Sequence, residues 1–276
     1  MGALAIVAGQ GELPRLLAEH CRETGRSYLP IRFRRMEMDW FADHPGFEAE
    51  FERFGALFAA MRDAGCDEVV FAGAMSRPNP DPRLFDDHTR AIAPRLIQIL
   101  AQGDDATLRA VADLFESEGF HVIAAQDVLA DLLAGAGALG AVQPSKADLA
   151  DIARAAEIAD ALGRVDVAQG AVVAQGICLG VESIQGTDAM LDFVATRSDG
   201  LRPDANGARG VLWKGPKPGQ DSRMDTPAIG PVTVEGAARA GLAGIAVAKG
   251  GVLVLDRARA IALADRLGLF VYGAEQ

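Results

Sequence analysis

Cysteine, long apolar runs and positive charge are all scarce in this chain of 276 residues. Its three cysteines, Cys21, Cys66 and Cys178, form no Cys-x-x-Cys pair, which argues against a zinc ribbon or a dithiol redox centre. No window of about 20 residues is continuously apolar, so the sequence predicts no transmembrane helix. The N-terminus lacks the basic segment of a signal peptide, and its apolar run is too short. We therefore expect a soluble, cytoplasmic protein.

Basic residues are outnumbered, since the chain has 27 Lys and Arg against 38 Asp and Glu and a formal net charge of −11. Such an acidic chain is not expected to bind a nucleic-acid backbone. An anionic ligand would need a local cluster of basic side chains, or a metal ion, to overcome the overall field. The four histidines share no spacing that is typical of a metal site.

Half of the residues are apolar, which is too many for a disordered chain. Up to about Leu133, short apolar runs alternate with amphipathic segments, as in a parallel sheet covered by helices. One of these runs, residues 121–127 (HVIAAQD), is predicted to be a strand. We predict a Rossmann-like α/β domain with a parallel sheet over residues 1–133.

A stretch of small residues, 134–145, is predicted to link this domain to a second, mixed α/β domain over residues 146–276. In the second domain, Gln-Gly at 175–176 predicts one hairpin turn and Lys-Gly-Gly at 249–251 predicts another. Two α/β domains joined by a short linker commonly bind a ligand in the cleft between them. The loops at the strand ends are the expected place for the chemistry.

A glycine-rich turn containing Gln10 and Gly11 follows the first predicted strand. Glycines let the backbone approach a phosphate, and a helix N-terminus favours an anion, so we consider phosphate or nucleotide contact beside an ordinary tight turn. The pattern is a poor dinucleotide fingerprint, because Pro14 replaces its last glycine and Arg32 stands where an acid would bind the ribose. An NAD-dependent oxidoreductase is therefore a weaker alternative.

A second strand-end loop, residues 73–80, contains Gly73 and Arg77. Because Pro78 stiffens the loop, the guanidinium of Arg77 is a candidate to bind a pyrophosphate or the carbonyls of a base. The alternative is an arginine at a surface turn.

The segment ESIQGTDAML places Thr187 and Asp188 at the start of a predicted helix. Asp188 is stabilised in its ionised form by the helix dipole and suits a hard cation. Capping of the helix by Thr187 is the alternative to contact with a metal or substrate.

The loop of residues 217–231, which follows a strand ending at Lys214, carries three prolines and alternates cations with carboxylates. Its candidate functional residues are Lys217, Gln220, Asp221, Arg223 and Asp225. Lysine and arginine bind phosphate oxygens, and aspartates hold a divalent ion that bridges the same oxygens, as phosphoryl transfer requires. The alternative, a solvated crossover loop, explains the prolines well and the alternating charges less well.

Residues 26–41 combine four arginines with Phe33, Met36, Met38, Trp40 and Phe41. A basic, aromatic surface of this kind is compatible with peripheral contact to the anionic inner membrane. A strand end followed by a charged surface turn is the alternative.

Six segments together resemble the cytoplasmic UDP-2,3-diacylglucosamine pyrophosphatases of lipid A synthesis, the type unrelated to calcineurin-like phosphoesterases. They are AGQGELP, AGAMSRP, GDDATLR, DVAQG, ESIQGTDAML and KPGQDSRMDTPAIGPVTVEGA. The resemblance covers essentially the whole chain, and the last two segments are the most specific. The chain departs from the family pattern at Gln10, where an all-glycine turn is usual, and at Ala168, where DVGQ is usual.

The resemblance implies two α/β domains with the lipid between them. It implies hydrolysis of the pyrophosphate of UDP-2,3-diacylglucosamine to UMP and 2,3-diacylglucosamine 1-phosphate (lipid X), with a divalent cation, typically Mg²⁺. Water attack is then assigned to the sugar-side phosphorus. Asp225, in the D-x-P-x-x-G motif, is implied to be the key catalytic carboxylate.

The residues agree with this chemistry, because Mg²⁺ and the cations of Lys214, Lys217 and Arg223 would offset the charge of a pyrophosphate. Asp188 and Asp221 are further candidate metal ligands beside Asp225. A carrier that binds the same sugar-nucleotide lipid without hydrolysing it remains an alternative. The sequence leaves open whether the chain forms a homodimer.

Overall fold

The structure, a computed structural model, describes residues 2–75, 78–100, 104–198 and 200–275. The chain divides into two compact units. Unit one comprises Met1–Ala130 and Asp221–Asp225, and unit two comprises Asp131–Gln220 and Thr226–Gln276. Five residues of the candidate loop thus belong to unit one, whereas the sequence placed the whole loop in the second domain.

The strands and helices of unit one alternate along the chain, as the sequence predicts. They are β1 (Ala3–Ala8), α1 (Leu13–Thr24), β2 (Tyr28–Phe33), β3 (Phe47–Ala49), α2 (Phe54–Asp63), β4 (Cys66–Ala72), α3 (Asp87–Leu100), α4 (Asp104–Ser117), β5 (His121–Val122) and α5 (Ala125–Val128).

The sheet of unit one is parallel throughout, with the strand order β3-β2-β1-β4-β5. Its central strand β1 is buried along its whole length, which explains why ALAIVA is uniformly apolar rather than alternating. Helix α1 has Pro14 in its first turn and ends at Gly25, whose φ of 72° is the left-handed conformation that glycine adopts readily. The prediction of a Rossmann-like α/β unit with a parallel sheet is confirmed.

The predicted strand over residues 121–127 is wrong beyond its first two residues. Only His121–Val122 pairs with β4, and the short helix α5 begins at Ala125. The carboxylate of Asp127 accepts a hydrogen bond of 3.0 Å from the backbone N–H of Ala124. This contact satisfies an N–H group at the start of the helix, a role that an apolar-run pattern does not indicate.

Unit two contains four helices and eight strands in its described residues. They are β6 (Gly137–Ala138), α6 (Lys146–Gly163), β7 (Gly170–Ala174), β8 (Ile177–Val181), α7 (Gly186–Arg197), β9 (Val211–Lys214), β10 (Ala228–Ile229), α8 (Pro231–Arg239), β11 (Gly244–Ala248), β12 (Leu253–Val254), α9 (Arg257–Leu267) and β13 (Phe270–Ala274).

The main sheet of unit two is mixed, with the order β6-β13-β11-β9-β7-β8. β9, β11 and β13 are parallel, and β7 is antiparallel to both β8 and β9. The carboxyl ends of β8, β9, β11 and β13 therefore lie at one edge of the sheet, together with the amino end of β7. Ligands of α/β sheets bind at this kind of edge.

One of the two predicted hairpins of unit two is confirmed. β7 and β8 pair as antiparallel neighbours, and Gln175 and Gly176 between them have φ values of 53° and 79°, as a tight hairpin turn requires. The second hairpin prediction is wrong, because β12 pairs in parallel with β10 and not with β11. The N–H of Leu253 instead donates to the carbonyl of Pro227, a partner that a local turn signal cannot reveal.

Residues 134–145, predicted to be a linker, contain β6, which pairs antiparallel with β13. A hydrogen bond of 2.8 Å from Leu139 N–H to the carbonyl of Val271 extends this pairing. Within the ranges that the structure describes, no helix is both long and apolar enough to cross a membrane.

Candidate functional site

In unit one, the glycine-rich turn after β1 packs directly against the turn after β4, and the two backbones are in contact. The N–H of Gln10 donates to the carbonyl of Ala74 at 2.7 Å, and the N–H of Ala74 donates to the carbonyl of Gln10 at 2.9 Å. A Cβ on Gly9 would lie 2.5 Å from the oxygen of Ala74, and one on Gly73 would lie 2.5 Å from the oxygen of Gln10. Both positions therefore exclude any side chain.

This packing brings together three of the predicted contact residues, Gln10, Gly11 and Gly73. All three are exposed and lie beyond the carboxyl ends of the neighbouring parallel strands β1 and β4. That is the usual position of a ligand in a doubly wound sheet. Arg77, predicted to act from the same loop, lies outside the described residues.

The segment Asp221–Asp225 folds into a tight turn that is part of unit one. The carbonyl of Asp221 accepts hydrogen bonds from the N–H groups of Met224 and Asp225 at 3.0 and 3.1 Å. Met224 is buried in the apolar core of unit one. Because that side chain anchors the turn, the half-buried Asp225 occupies a defined position at its end.

Arg223 is held between two carboxylates of unit one. Its Nη2 lies 2.7 Å from Oδ2 of Asp221, and its Nε lies 3.0 Å from Oδ1 of the same residue. Its Nη1 donates to Oε1 of Glu116 on α4 at 2.9 Å. The hydrogen bonds from Arg223 hold the pKa of Asp221 below its usual range, and the same bonds raise the pKa of Arg223.

These contacts bear on the predicted metal ligands. Both carboxylate oxygens of Asp221 accept hydrogen bonds from Arg223, including one of 3.0 Å from its backbone N–H, so few lone pairs remain for a cation. The contacts of Asp221 therefore favour a role in holding Arg223 over a role as a ligand for Mg²⁺. Asp225 fits by donor type, because a carboxylate is a hard oxygen ligand.

Asp188, the third predicted metal ligand, is exposed in the first turn of α7 in unit two. Among the described residues, no group of three or more His, Cys, Asp or Glu side chains could hold a metal ion.

A buried polar trio lies at the sheet edge of unit two. It consists of Lys214 at the end of β9, Glu182 directly after β8, and Thr187 in the first turn of α7. Lys214 Nζ donates to Thr187 Oγ1 at 2.6 Å and to Glu182 Oε1 at 3.3 Å, and Thr187 Oγ1 donates to Glu182 Oε1 at 2.9 Å. Lys214 and Glu182 are each only 6% exposed.

The contacts of the trio exclude capping of α7 by Thr187, which the sequence had left open as an alternative to contact with a metal or substrate. The N-cap of α7 is Gln185, and the Thr187 hydroxyl bonds Glu182 instead of capping the helix. Sequence reasoning predicted Thr187 and Lys214 as contact residues but missed Glu182. The only signal for Glu182 was an acidic residue directly after a predicted strand.

The other two predicted loop residues of unit two support the loop itself. The N–H of Lys217 donates to Oε1 of Gln220 at 2.8 Å, and Lys217 Nζ forms an ion pair with Asp166. Pro218 packs on Gly163, where a Cβ would lie 2.9 Å from the proline ring. The side chain of Gln220 thus closes the turn that follows Lys217.

A cleft of about 770 Å³, which the sequence did not predict, lies within unit two beside the same strand ends. Helix α6 forms one wall of the cleft. The other residues that line the cleft include Gln169, Trp213, Pro216, Lys217 and Tyr272.

In the basic, aromatic stretch of residues 26–41, three of the four arginines form ion pairs with glutamates of unit one. Arg26 pairs with Glu68, Arg32 with Glu48 and Arg34 with Glu50, at distances of 2.5 to 2.9 Å. The guanidinium of Arg32 also lies 4.7 Å from the ring centre of Phe41. These pairs favour the charged surface turn over a free basic patch.

Two protein-family models match this chain, and together they span nearly all of it. A family model described as the LpxI N-terminal domain matches residues 3–132, and one described as the LpxI C-terminal domain matches residues 135–272. The chain belongs to the LpxI family. Over 275 residues it is 44% identical to a protein of Caulobacter vibrioides named UDP-2,3-diacylglucosamine pyrophosphatase LpxI, and the match covers 100% of this chain and 98% of that relative. The resemblance found in the sequence is confirmed.

The LpxI family models also locate the candidate loop. The segment Asp221–Asp225 lies within the range of the LpxI C-terminal domain, although it packs as part of unit one.

Proposed function

We propose that this chain hydrolyses the pyrophosphate bond of UDP-2,3-diacylglucosamine, giving UMP and 2,3-diacylglucosamine 1-phosphate in lipid A synthesis. The observation that carries the proposal is the 44% identity, over the full length, to a relative named for this activity. A pyrophosphate has concentrated negative charge on its oxygens, so hydrolysis needs fixed positive charge and a placed water molecule.

Lys214 is the best-supported residue for binding a phosphate oxygen. An ammonium group has three N–H donors, and the contacts to Thr187 and Glu182 use two of them. Its burial strengthens the attraction for an anion, because the local dielectric is low. Lys217, which pairs with Asp166, and Arg223, which pairs with Asp221 and Glu116, are more exposed than Lys214, so solvent screens their charges more strongly.

Asp225 is the carboxylate that we assign to the reaction. Its hard oxygens suit Mg²⁺, and the buried Met224 next to it fixes the end of the turn. When bound, the cation supplies charge neutralisation on the phosphate oxygens. Asp225 would hold that ion or orient the attacking water, and Asp221 would keep Arg223 in place.

We further propose that water attacks the phosphorus on the sugar side. In this direction UMP is the leaving group, and the new oxygen atom enters the sugar phosphate.

The decisive experiment is hydrolysis of UDP-2,3-diacylglucosamine by the purified protein in H₂¹⁸O, with Mg²⁺ and then with EDTA. We expect release of UMP that EDTA abolishes, and ¹⁸O in 2,3-diacylglucosamine 1-phosphate. Label in UMP would contradict the direction of attack while leaving the activity intact. Binding of the substrate without turnover would replace the hydrolase with a carrier, and activity that persists in EDTA would remove the cation from the proposal.

A further inference from the structure

Two members of the polar trio, Glu182 and Lys214, lie on opposite sides of strand β7 in the sheet of unit two. Gly170, at the start of β7, is the register partner of Lys214 on β9, and its carbonyl accepts a hydrogen bond of 2.9 Å from the N–H of Glu182. Gly170, Glu182 and Lys214 therefore form one row across the sheet edge, and cross-strand neighbours in such a row share a face.

The glycine in this row makes space for the carboxylate. A Cβ at position 170 would lie 2.6 Å from Glu182 Oε2 and 3.1 Å from the carbonyl oxygen of Trp213. Any side chain larger than that of glycine would thus displace the carboxylate or the neighbouring strand. Glycine at position 170 thus leaves room for the buried carboxylate of Glu182.

The energetics of the trio do not favour a purely structural role. Removing two charges from water costs more free energy than their attraction usually returns, so a buried ion pair is weak evidence for stability. In addition, Glu182 Oε2 is buried without a hydrogen-bond partner among the described residues. An unsatisfied carboxylate oxygen is destabilising, so its presence in a folded protein calls for an explanation.

The hydrogen-bond directions show what the carboxylate does. Oε1 accepts from both Thr187 Oγ1 and Lys214 Nζ, and the Thr187 oxygen accepts from Lys214 Nζ in turn. Two of the three ammonium donors are thereby directed at fixed partners. Glu182 and Thr187 thus determine the position of the ammonium, and its third N–H donor has no partner among the described residues.

We infer that Glu182 is a positioning residue for the hydrolysis proposed above: it holds the Lys214 ammonium, with Thr187, so that one N–H donor serves a phosphate oxygen of the substrate. Glu182 itself does not touch the reacting atoms. The inference rests on the proposed function for its substrate, but the arrangement of the trio is independent of that function.

The test is a double-mutant cycle with Glu182→Gln, Lys214→Met and the double variant, compared with wild type and with Glu235→Gln. Glu235 is an exposed residue of α8 that forms no ion pair with the residues that the structure describes, so its variant should behave as wild type. For each protein, kcat and KM for UDP-2,3-diacylglucosamine and the thermal unfolding midpoint are measured.

We expect each single variant to lower kcat by about 10²-fold, as does the loss of one donor to a developing charge. The double variant should lose no more than Lys214→Met alone, because Glu182 acts only through Lys214. Its thermal midpoint should nevertheless recover relative to the single variants, since neither charge is then buried without a partner.

Three outcomes would overturn the inference. These are wild-type kcat in Glu182→Gln, additive losses in the double variant, and recovery of kcat together with the thermal midpoint. The last outcome would mean that the pair only supports the fold.

Two further arms keep the test decisive. If Glu182→Gln does not fold, Thr187→Val should lower kcat and Thr187→Ser, which keeps the hydroxyl, should restore it; equal activity of both variants would contradict the inference. If wild type does not hydrolyse the substrate, the proposed function fails by itself. Calorimetric titration with inorganic pyrophosphate then serves as the probe, and binding that is unchanged in Glu182→Gln would refute the positioning role.

Discussion

Two charged clusters, one in each unit, both pair carboxylates with a basic side chain but differ in how the pair is assembled. In unit one, Asp221 and Arg223 are two residues apart and pair through a local turn. In unit two, Glu182 and Lys214 are 32 positions apart and meet only because β8, β7 and β9 are neighbours in the sheet.

The clusters also differ in exposure. The side chain of Arg223 is 39% exposed, whereas that of Lys214 is 7% exposed. Water and salt screen the first pair, so its contribution to stability is small. The second pair is shielded, so removing either partner leaves an unpaired charge with a large cost. The local cluster therefore mainly orders a loop, whereas the buried cluster holds the Lys214 charge in a defined position.

The largest effect is expected at the end of the local cluster. Asp225→Asn keeps the shape of the side chain but removes its negative charge and its strength as a ligand for a cation. We expect kcat for UDP-2,3-diacylglucosamine to fall by about 10³-fold, as for the loss of a group that acts on the nucleophile or its metal. Steady-state kinetics, with circular dichroism to verify the fold, measure this.

Asp63→Asn is the matched control for that experiment, because Asp63 is exposed at the end of α2 in the same unit. It should retain wild-type activity. Near-full activity of Asp225→Asn would show that unit one contributes loop order and no catalytic carboxylate.

An intermediate effect is expected from Gly170→Ala in the buried cluster. The new Cβ would lie 2.6 Å from Glu182 Oε2. Overpacking of this kind costs about 1–3 kcal/mol in the free energy of unfolding. Because the carboxylate that positions Lys214 must move, we also expect kcat to fall by about 10-fold. Thermal unfolding and steady-state kinetics check both effects.

Gly135→Ala provides the matched control in unit two. Gly135 is exposed, and the nearest atom to its added Cβ is 3.9 Å away, so stability and kcat should both stay at the wild-type level. Wild-type stability and kcat in Gly170→Ala would mean that the Glu182 carboxylate can move without loss of activity. The buried cluster would then not depend on a fixed carboxylate, and it would differ less from the exposed cluster of unit one.

The smallest effect concerns Asp221, through pH. Its folded-state pKa is lowered by the hydrogen bonds from Arg223, so its contribution is present above the unfolded pKa of about 3.9 and is lost as pH falls through the folded pKa. At pH 7, Asp221→Asn should lower the free energy of unfolding by about 1 kcal/mol. That difference from wild type should shrink below about pH 4.

Chemical unfolding of both proteins from pH 7 down to pH 3 measures the effect, and high salt should reduce it. A difference that stayed constant over the whole range would mean that the Asp221 charge does not stabilise the turn.

Much of the fold was predictable because its signals are local. The buried strand ALAIVA, the Pro14 and Gly25 that bound α1, and the Gln175-Gly176 turn each act through their own backbone conformation. The failed predictions involve partners that are distant in sequence. β12 forms no hairpin with β11 because its partner is β10, and residues 134–145 form more than a linker because β13 offers an edge to β6.

The candidate site divides in the same way. The family, the chemical character of the 217–231 loop and most of the candidate residues were predictable from the sequence, because charge and loop chemistry are properties of the residues themselves. The roles of Asp188 and Asp225 stay predictions. The sequence did not reveal that Arg223 contacts Glu116 or that Lys214 contacts Glu182 and Thr187, and only the folded chain shows these contacts. These partners depend on strand order and packing, which bring distant residues within hydrogen-bonding distance of one another.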